Sequence, residues 1–210
     1  MTYEIANTTL EIDGLYFKID IEPDEGSGRP WEECDGHGPV REIQNREDKR
    51  AGERILQLGN RGCYSWAYDW QGAMEQAKQD GWGLSDKPDD WDTLTKPQQC
   101  ELAVQQDFDF LKAWCEDDWV WSRIHVIRMA YADYDEAILS LLKGQTPDLV
   151  ETDDDDYLGS VEFWQNYDVL DKKNAYAMET AREMAGSLAQ AFRKEQTEAQ
   201  YWAERGAVTV

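Results

Sequence analysis

The stretch Leu10-Glu-Ile-Asp-Gly-Leu-Tyr-Phe-Lys-Ile-Asp-Ile-Glu22 decides the class of fold. Leu15, Phe17, Ile19 and Ile21 alternate with Tyr16, Lys18, Asp20 and Glu22, the period of two expected of a half-buried strand. Leu10 and Ile12 stand on the other side of Asp13-Gly14, a dipeptide that accommodates the positive φ of a tight turn. The stretch therefore reads as a β-hairpin, and the rest of the chain has to supply the cover for its apolar face.

Outward from the hairpin, residues 23–52 are rich in Gly, Pro, Asp and Arg and lack apolar periodicity, which predicts a long loop. A short apolar run at 54–58 offers a third strand. Asp69 is placed as an N-cap for Trp70, Ala73, Met74 and Ala77, and Asp80-Gly81 stops that helix. From Gln98, Val104, Phe108, Leu111 and Cys115 form one stripe of a second helix. Residues 119–129 alternate Val120, Ile124 and Val126 with Trp121, Ile127 and Met129, a strand expected to be covered by helices on both faces. Ala137, Ile138, Leu141 and Leu142 give a short helix-like segment ending at Gly144. From about Asn174, Ala177, Ala181, Met184, Leu188 and Phe192 mark a long closing helix.

The expected fold is α+β: an antiparallel sheet of the hairpin with strands near 54–58 and 119–129, packed by three main helices at 70–79, 98–118 and 174–203. The expected division is a core over 1–130, an acidic loop insertion over 131–171, and a C-terminal helix over 172–210 that packs on the core.

Composition constrains function more than any motif does. The 210 residues carry 44 acids against 21 bases, a formal charge of −23, which argues against nucleic acid or an anionic membrane as a direct partner. Ten Trp and 41% hydrophobic residues argue against wholesale disorder. The start, Met-Thr-Tyr-Glu-Ile, has no basic, apolar leader and no segment is long enough to span a bilayer, so a cytosolic location is expected, with Cys34, Cys63, Cys100 and Cys115 as thiols and small core residues. Residues 171–210 are neutral, so the excess acid lies before them.

It concentrates in Asp86, Asp89, Asp90 and Asp92, in Glu116, Asp117 and Asp118, and in Glu151 with Asp153, Asp154, Asp155 and Asp156. Asp109 and Glu116, seven apart, share one face of the second helix, together with Lys112. Like charges lower the stability of a compact chain, and one reason to keep them is imitation of nucleic acid, whose binders present basic grooves. These acids are the expected partner-binding residues. Solubility alone is the competing explanation, since a charge run is usually a solvated face.

Other chemistry has weaker signals. Cys34 and His37 form a C-x-x-H pair that Cys63 or His125 would complete around zinc, but the second pair is not adjacent in sequence. The acidic runs lack the EF-hand spacing for Ca²⁺. Seven of the ten Trp fall between residues 66 and 121, where the patterns call for core, so a glycan-processing reading has no carboxylate pair to nominate. No catalytic residue and no cofactor is expected. The small-residue stripe Ala177, Ala181, Met184 and Ala185 offers a third option, an acidic scaffold that pairs with its own copy through the closing helix.

One segment carries a resemblance. Trp31-Glu-Glu-Cys-Asp-Gly-His-Gly-Pro-Val40, followed by Arg61-Gly-Cys-Tyr64, Tyr68-Asp-Trp70 and Asp80-Gly-Trp82, resembles small proteins of unassigned activity encoded by tailed bacteriophages and prophages. It covers roughly residues 10–130, and Asp35-Gly-His-Gly-Pro39 is its most specific part. The resemblance implies a phage context and no catalytic residues. Combined with the charge, it leads to the expectation of an anti-defence inhibitor in the host cytoplasm, blocking a nucleoprotein such as a CRISPR effector or restriction enzyme through an acidic surface.

Overall fold

A computed structural model of the chain describes residues 5–59, 65–84 and 87–206, with side chains to residue 201. In chain order it runs β1 (Ala6–Ile12), β2 (Leu15–Pro23), α1 (Pro30–Glu33), β3 (Val40–Ile43), β4 (Glu53–Gln57), β5 (Ser65–Asp69), α2 (Trp70–Asp80), α3 (Lys96–Cys115), β6 (Trp119–Tyr131), α4 (Tyr134–Leu142), β7 (Leu149–Trp164) and α5 (Ala175–Gly206). Contacts divide it into two compact units, Met1–Glu25 with Val120–Val210, and Gly26–Trp119. The class is α+β, but the expected single sheet is two. The hairpin belongs to a four-stranded sheet of order β1-β2-β6-β7, while the strand expected at 54–58 is β4 in a separate sheet of order β3-β5-β4. Five helices, not three, are present among the described residues; α2, α3 and α5 occupy the expected positions.

In the first unit the hairpin turns where Asp13-Gly14 predicts. Both residues have positive φ, 53° and 80°, and Ile12 pairs with Leu15 across the turn. β2 pairs antiparallel with β6, setting Ile19 beside Val126 and Ile21 beside Ile124. These residues, with Phe17, Val161 and Phe163, are buried against Ala177, Met178, Ala181, Met184, Ala185 and Ala189 of α5. The small-residue stripe that suggested self-pairing is thus used inside the unit, where short side chains let the helix lie close on the sheet. The face of β6 opposite α5, expected to be helix-covered, carries charged pairs beside the buried Trp121 and Ile127. Arg123 meets Glu22, Lys18 bridges Asp20 at 2.7 Å and Glu151 at 2.9 Å, and His125 meets Asp155 at 2.8 Å.

The second correction concerns residues 144–171. The acidic loop expected there is largely strand: β7 extends for 16 residues at the edge of the sheet. Val150, Thr152, Tyr157, Val161 and Phe163 have the shapes that suit a pleated surface, and Arg128 on the neighbouring β6 and Lys18 on β2 supply opposite charge. Near Gly159-Ser160 the strand changes parity. Asp155 points to the polar face, yet Val161 and Phe163, also odd-numbered, enter the core. Ser160 has φ 56° and its N–H donates to Asp24 Oδ2 at 2.8 Å, the signature of an extra residue that reverses which side chains face inward. Beyond β7, Asn174 is fully buried and ties the strand to the start of α5. Its Oδ1 accepts from Trp164 N–H at 2.8 Å, and its Nδ2 donates to the carbonyls of Trp164 and Asp168.

In the second unit β5 is central, paired antiparallel with β3 and β4. The expected loop over 23–52 contains α1 and β3, elements too short to show a period. α2 is capped by Asp69, whose carboxylate accepts from Gly72 N–H at 2.9 Å, and ends at Gly81, both as the sequence predicts. Thr95 and Gln98 make a capping box at the start of α3. Cys100, Val104, Leu111 and Cys115 of α3 pack with Ala73 and Ala77 of α2 and with Leu56, Trp66 and Tyr68 of the sheet. Cys100 and Cys115 are core residues as expected, whereas Cys34 is exposed and Cys63 lies outside the described residues.

Glu53, buried at the start of β4, accepts from Arg41 Nε and Nη2 at 2.9 and 2.8 Å and from Arg50 N–H at 2.7 Å. The Arg41 guanidinium holds its carboxyl below the usual value of 4.5. A lowered folded pKa means stability that is complete above that usual value and lost as pH falls through the lowered one. Glu53→Gln should therefore cost about 1 kcal/mol at neutral pH, the modest end for a charged hydrogen bond whose guanidinium is partly solvated. In urea titrations the gap between variant and wild type should shrink below about pH 4; a gap independent of pH would contradict this. Among the described residues no helix is long and apolar enough to cross a membrane.

Candidate functional site

The acids singled out by sequence fall into four local groups, and Asp86 lies outside the described residues. Asp89, Asp90 and Asp92 are exposed around the short 3₁₀ turn that buries Trp91. Asp109 on α3 and Glu116 at its C-terminal cap are both exposed, but neither is unengaged: Asp109 accepts from Gln105 Nε2 at 2.8 Å, and Lys112 lies 3.5 Å from Glu116. Asp117, with φ 60°, and Asp118 form the turn into β6. These three groups belong to the second unit, and the fourth, Glu151 with Asp153–Asp156, stands on β7 of the first.

On β7 the carboxylates divide by face. Glu151 and Asp155 reach Lys18 and His125 on the polar side, and Asp154 takes Arg128 Nε at 2.7 Å and Nη2 at 2.6 Å. Arg128 is itself seated 4.0 Å from the ring centre of Phe192 on α5. His125 stacks on Tyr157 with ring centres 4.4 Å apart. Hydrogen bonds to Asp20 and Glu151 raise the Lys18 pKa, so this ammonium stays charged. Asp153 and Asp156 are exposed. Carboxylates on an edge strand also discourage pairing with a foreign strand, a purpose they serve whatever else they bind.

A second constellation, in the other unit, was only half visible in sequence. His37 Nδ1 lies 2.6 Å from Asp107 Oδ1, while Oδ2 of the same carboxylate accepts from Gly38 N–H at 2.8 Å and from the Tyr68 hydroxyl at 2.6 Å. The imidazole stacks on Phe110, 5.7 Å between ring centres and 11° between planes. Burial, with the Asp107 charge beside it, pushes the Tyr68 hydroxyl pKa well up, so it remains a donor. The segment Asp35-Gly-His-Gly-Pro39 is thereby clamped to α3. The partner of His37 is a side chain 70 residues away in sequence. The available signal for Asp107 was its place on the apolar stripe of α3, between the buried Ala103 and Leu111, where a carboxylate needs donors.

With the carboxylate on Nδ1, that nitrogen carries the proton and Nε2 is left as the atom that can accept a proton or a metal. Of the weaker zinc set, Cys34 is exposed, Cys63 lies outside the described residues, and His125 belongs to the other unit. Among the described residues no three His, Cys, Asp or Glu side chains converge as metal ligands. Burial pushes the Cys115 thiol up to about 12, which keeps it protonated and unreactive at neutral pH. Comparison with protein-family models, curated proteins and solved structures returns no match for this chain.

Proposed function

We propose that this chain is a phage-encoded anti-defence protein that acts in the host cytoplasm by binding. It occupies the basic nucleic-acid groove of a host nucleoprotein or nuclease, and it catalyses nothing. The observation that carries this reading is the ordered, extended form of the acidic run. An antiparallel strand rises about 3.4 Å per residue. Side chains alternate between faces, so Asp153 and Asp155 stand about 6.8 Å apart on one face and Asp154 and Asp156 on the other, each row a fixed line of carboxylates at about half the charge density of a single DNA strand. The pairs to Arg128 and His125 hold two of these carboxylates in fixed directions, so less side-chain freedom is lost when a partner engages them.

The test is a pull-down from bacterial lysate with the tagged protein, followed by affinity measurement on the captured protein. Capture of a nucleic-acid-binding complex is expected. Its affinity should fall on the order of tenfold or more between about 50 and 200 mM salt. The variant Asp153→Asn/Asp155→Asn/Asp156→Asn should bind on the order of tenfold more weakly at the lower salt. Affinity indifferent to both changes would sink the proposal.

One observation favours a second reading, a metal-binding phage protein centred on His37 with Cys34 and Cys63. Asp107 backs His37 as carboxylates back metal-ligating imidazoles. Stoichiometric zinc in protein purified without added metal, lost in His37→Ala, would favour it over the first.

A further inference from the structure

Helix α4 is a nine-residue element of which only Ala137 is buried among its hydrophobic residues. Tyr134, Ile138, Leu141 and Leu142 recur at i, i+4, i+7 and i+8, the stripe a helix ordinarily turns toward a core. Here that stripe faces outward: the four side chains are 70%, 43%, 54% and 80% exposed, and Leu139 beside them is 54% exposed. Ala137 and the half-buried Ser140 occupy the side turned to the protein. Apolar side chains gathered in this way mark an interaction surface, whereas single exposed ones do not.

The charge around the stripe selects the occupant. Between Asp133 and Asp148 the chain carries Asp133, Asp135, Glu136 and Asp148 against Lys143 alone, all on exposed positions. A second copy would bring two such rims together, on chains each of net charge −23. A protein offering an amphipathic helix with an apolar stripe flanked by Lys or Arg meets both features. We infer that α4 is the apolar anchor of this chain, packed against the apolar stripe of a partner helix whose flanks are basic. This rests on the reading of the chain as a partner-binding protein. It adds that the anchoring contacts are apolar, with the carboxylates governing encounter rate and selection.

The probe is a fluorescein-labelled 14-residue amphipathic helix of Leu and Lys, followed by anisotropy. Wild type should bind it in a salt-sensitive way and should not bind the matching Leu/Glu peptide. Leu141→Ser/Leu142→Ser keeps every charge and should weaken binding about tenfold or more. Tyr134→Ser, at the other end of the stripe, should weaken it as well, and far-UV circular dichroism should be unchanged in both variants because the side chains are exposed. The inference is overturned if wild type fails to bind the Leu/Lys peptide, if it binds the Leu/Glu peptide equally, or if the serine variants bind like wild type. It is also overturned by a wild-type dimer in sedimentation, or flotation with phosphatidylcholine vesicles, that the double variant loses. Asp153→Asn/Asp155→Asn/Asp156→Asn, run in parallel, separates the two proposals, since it removes charge from β7 and leaves α4 intact.

Discussion

Asp107→Ala should lower the stability of the Gly26–Trp119 unit by about 3–5 kcal/mol in urea unfolding, a large fraction of what holds a typical domain together. The carboxylate accepts from His37, Gly38 N–H and the Tyr68 hydroxyl. Its removal strands three donors, of which Tyr68 is fully buried. Each buried donor left without a partner costs about 1–3 kcal/mol. Asp107→Asn discriminates further. The amide oxygen belongs opposite the two donors on the Gly38 and Tyr68 side, which turns the amide N–H₂ toward His37. Nδ1 must then accept, and the ring proton moves to Nε2. Nitrogen-15 chemical shifts of the imidazole should report the reversed tautomer. A loss below about 1 kcal/mol for the alanine variant, or an unchanged tautomer for the asparagine variant, would show that the carboxylate is not the anchor.

Gly38→Ala should be nearly as damaging, at about 3 kcal/mol, for a steric reason. A Cβ at this position would stand 2.4 Å from Tyr68 Oη, 2.6 Å from Tyr68 Cζ and 2.7 Å from the Ala73 methyl. Tyr68 and Ala73 are both fully buried, so neither can swing aside, and moving Tyr68 breaks its bond to Asp107. Gly36 provides the comparison: its φ of 102° strains any other residue, but nothing lies within 4 Å of its added Cβ. Gly36→Ala should therefore cost less, about 1–2 kcal/mol from the backbone alone. The pair Asp107→Ala/Gly38→Ala should fall short of the sum, because both act through Tyr68. Equal losses for the two glycine variants would remove the steric argument.

The hairpin was legible because its two signals, alternation and Asp13-Gly14, are local and agree. The same holds for α2, where the Asp69 cap, the apolar spacing and Gly81 all point one way. β3 and β5 hold four and five residues, too few for a period to emerge, and their omission merged two sheets into one. β7 was misread because a run of four Asp predicts a solvated loop. The charges that rescue the strand, Arg128 and Lys18, are contributed by other strands and invisible to a local window. Asp107 illustrates the same limit from the other side. Its position in an apolar stripe announced a need for donors, but which residues would meet that need is a matter of tertiary pairing. The α4 segment was legible as a helix, yet no pattern tells whether a stripe is turned inward or outward.

The division into units has a consequence for how the chain comes together. Pro23 pairs with Ser122 and Tyr16 with Met129, so the four-stranded sheet is stitched across about a hundred residues of intervening chain. During synthesis at about 5–20 residues per second, β1 and β2 wait several seconds for β6, with Phe17, Ile19 and Ile21 lacking their core and a lone hairpin only marginally stable. The intervening residues are themselves a contiguous unit, complete when Trp119 emerges. Its two ends lead into strands joined by the hydrogen bond from Asp24 N–H to the Trp121 carbonyl, 2.9 Å long. A unit that folds first holds those ends near each other, and so offsets the loop-closure entropy that would otherwise delay the sheet. Destabilising the His37–Asp107 clamp should therefore slow formation of a sheet to which neither residue belongs.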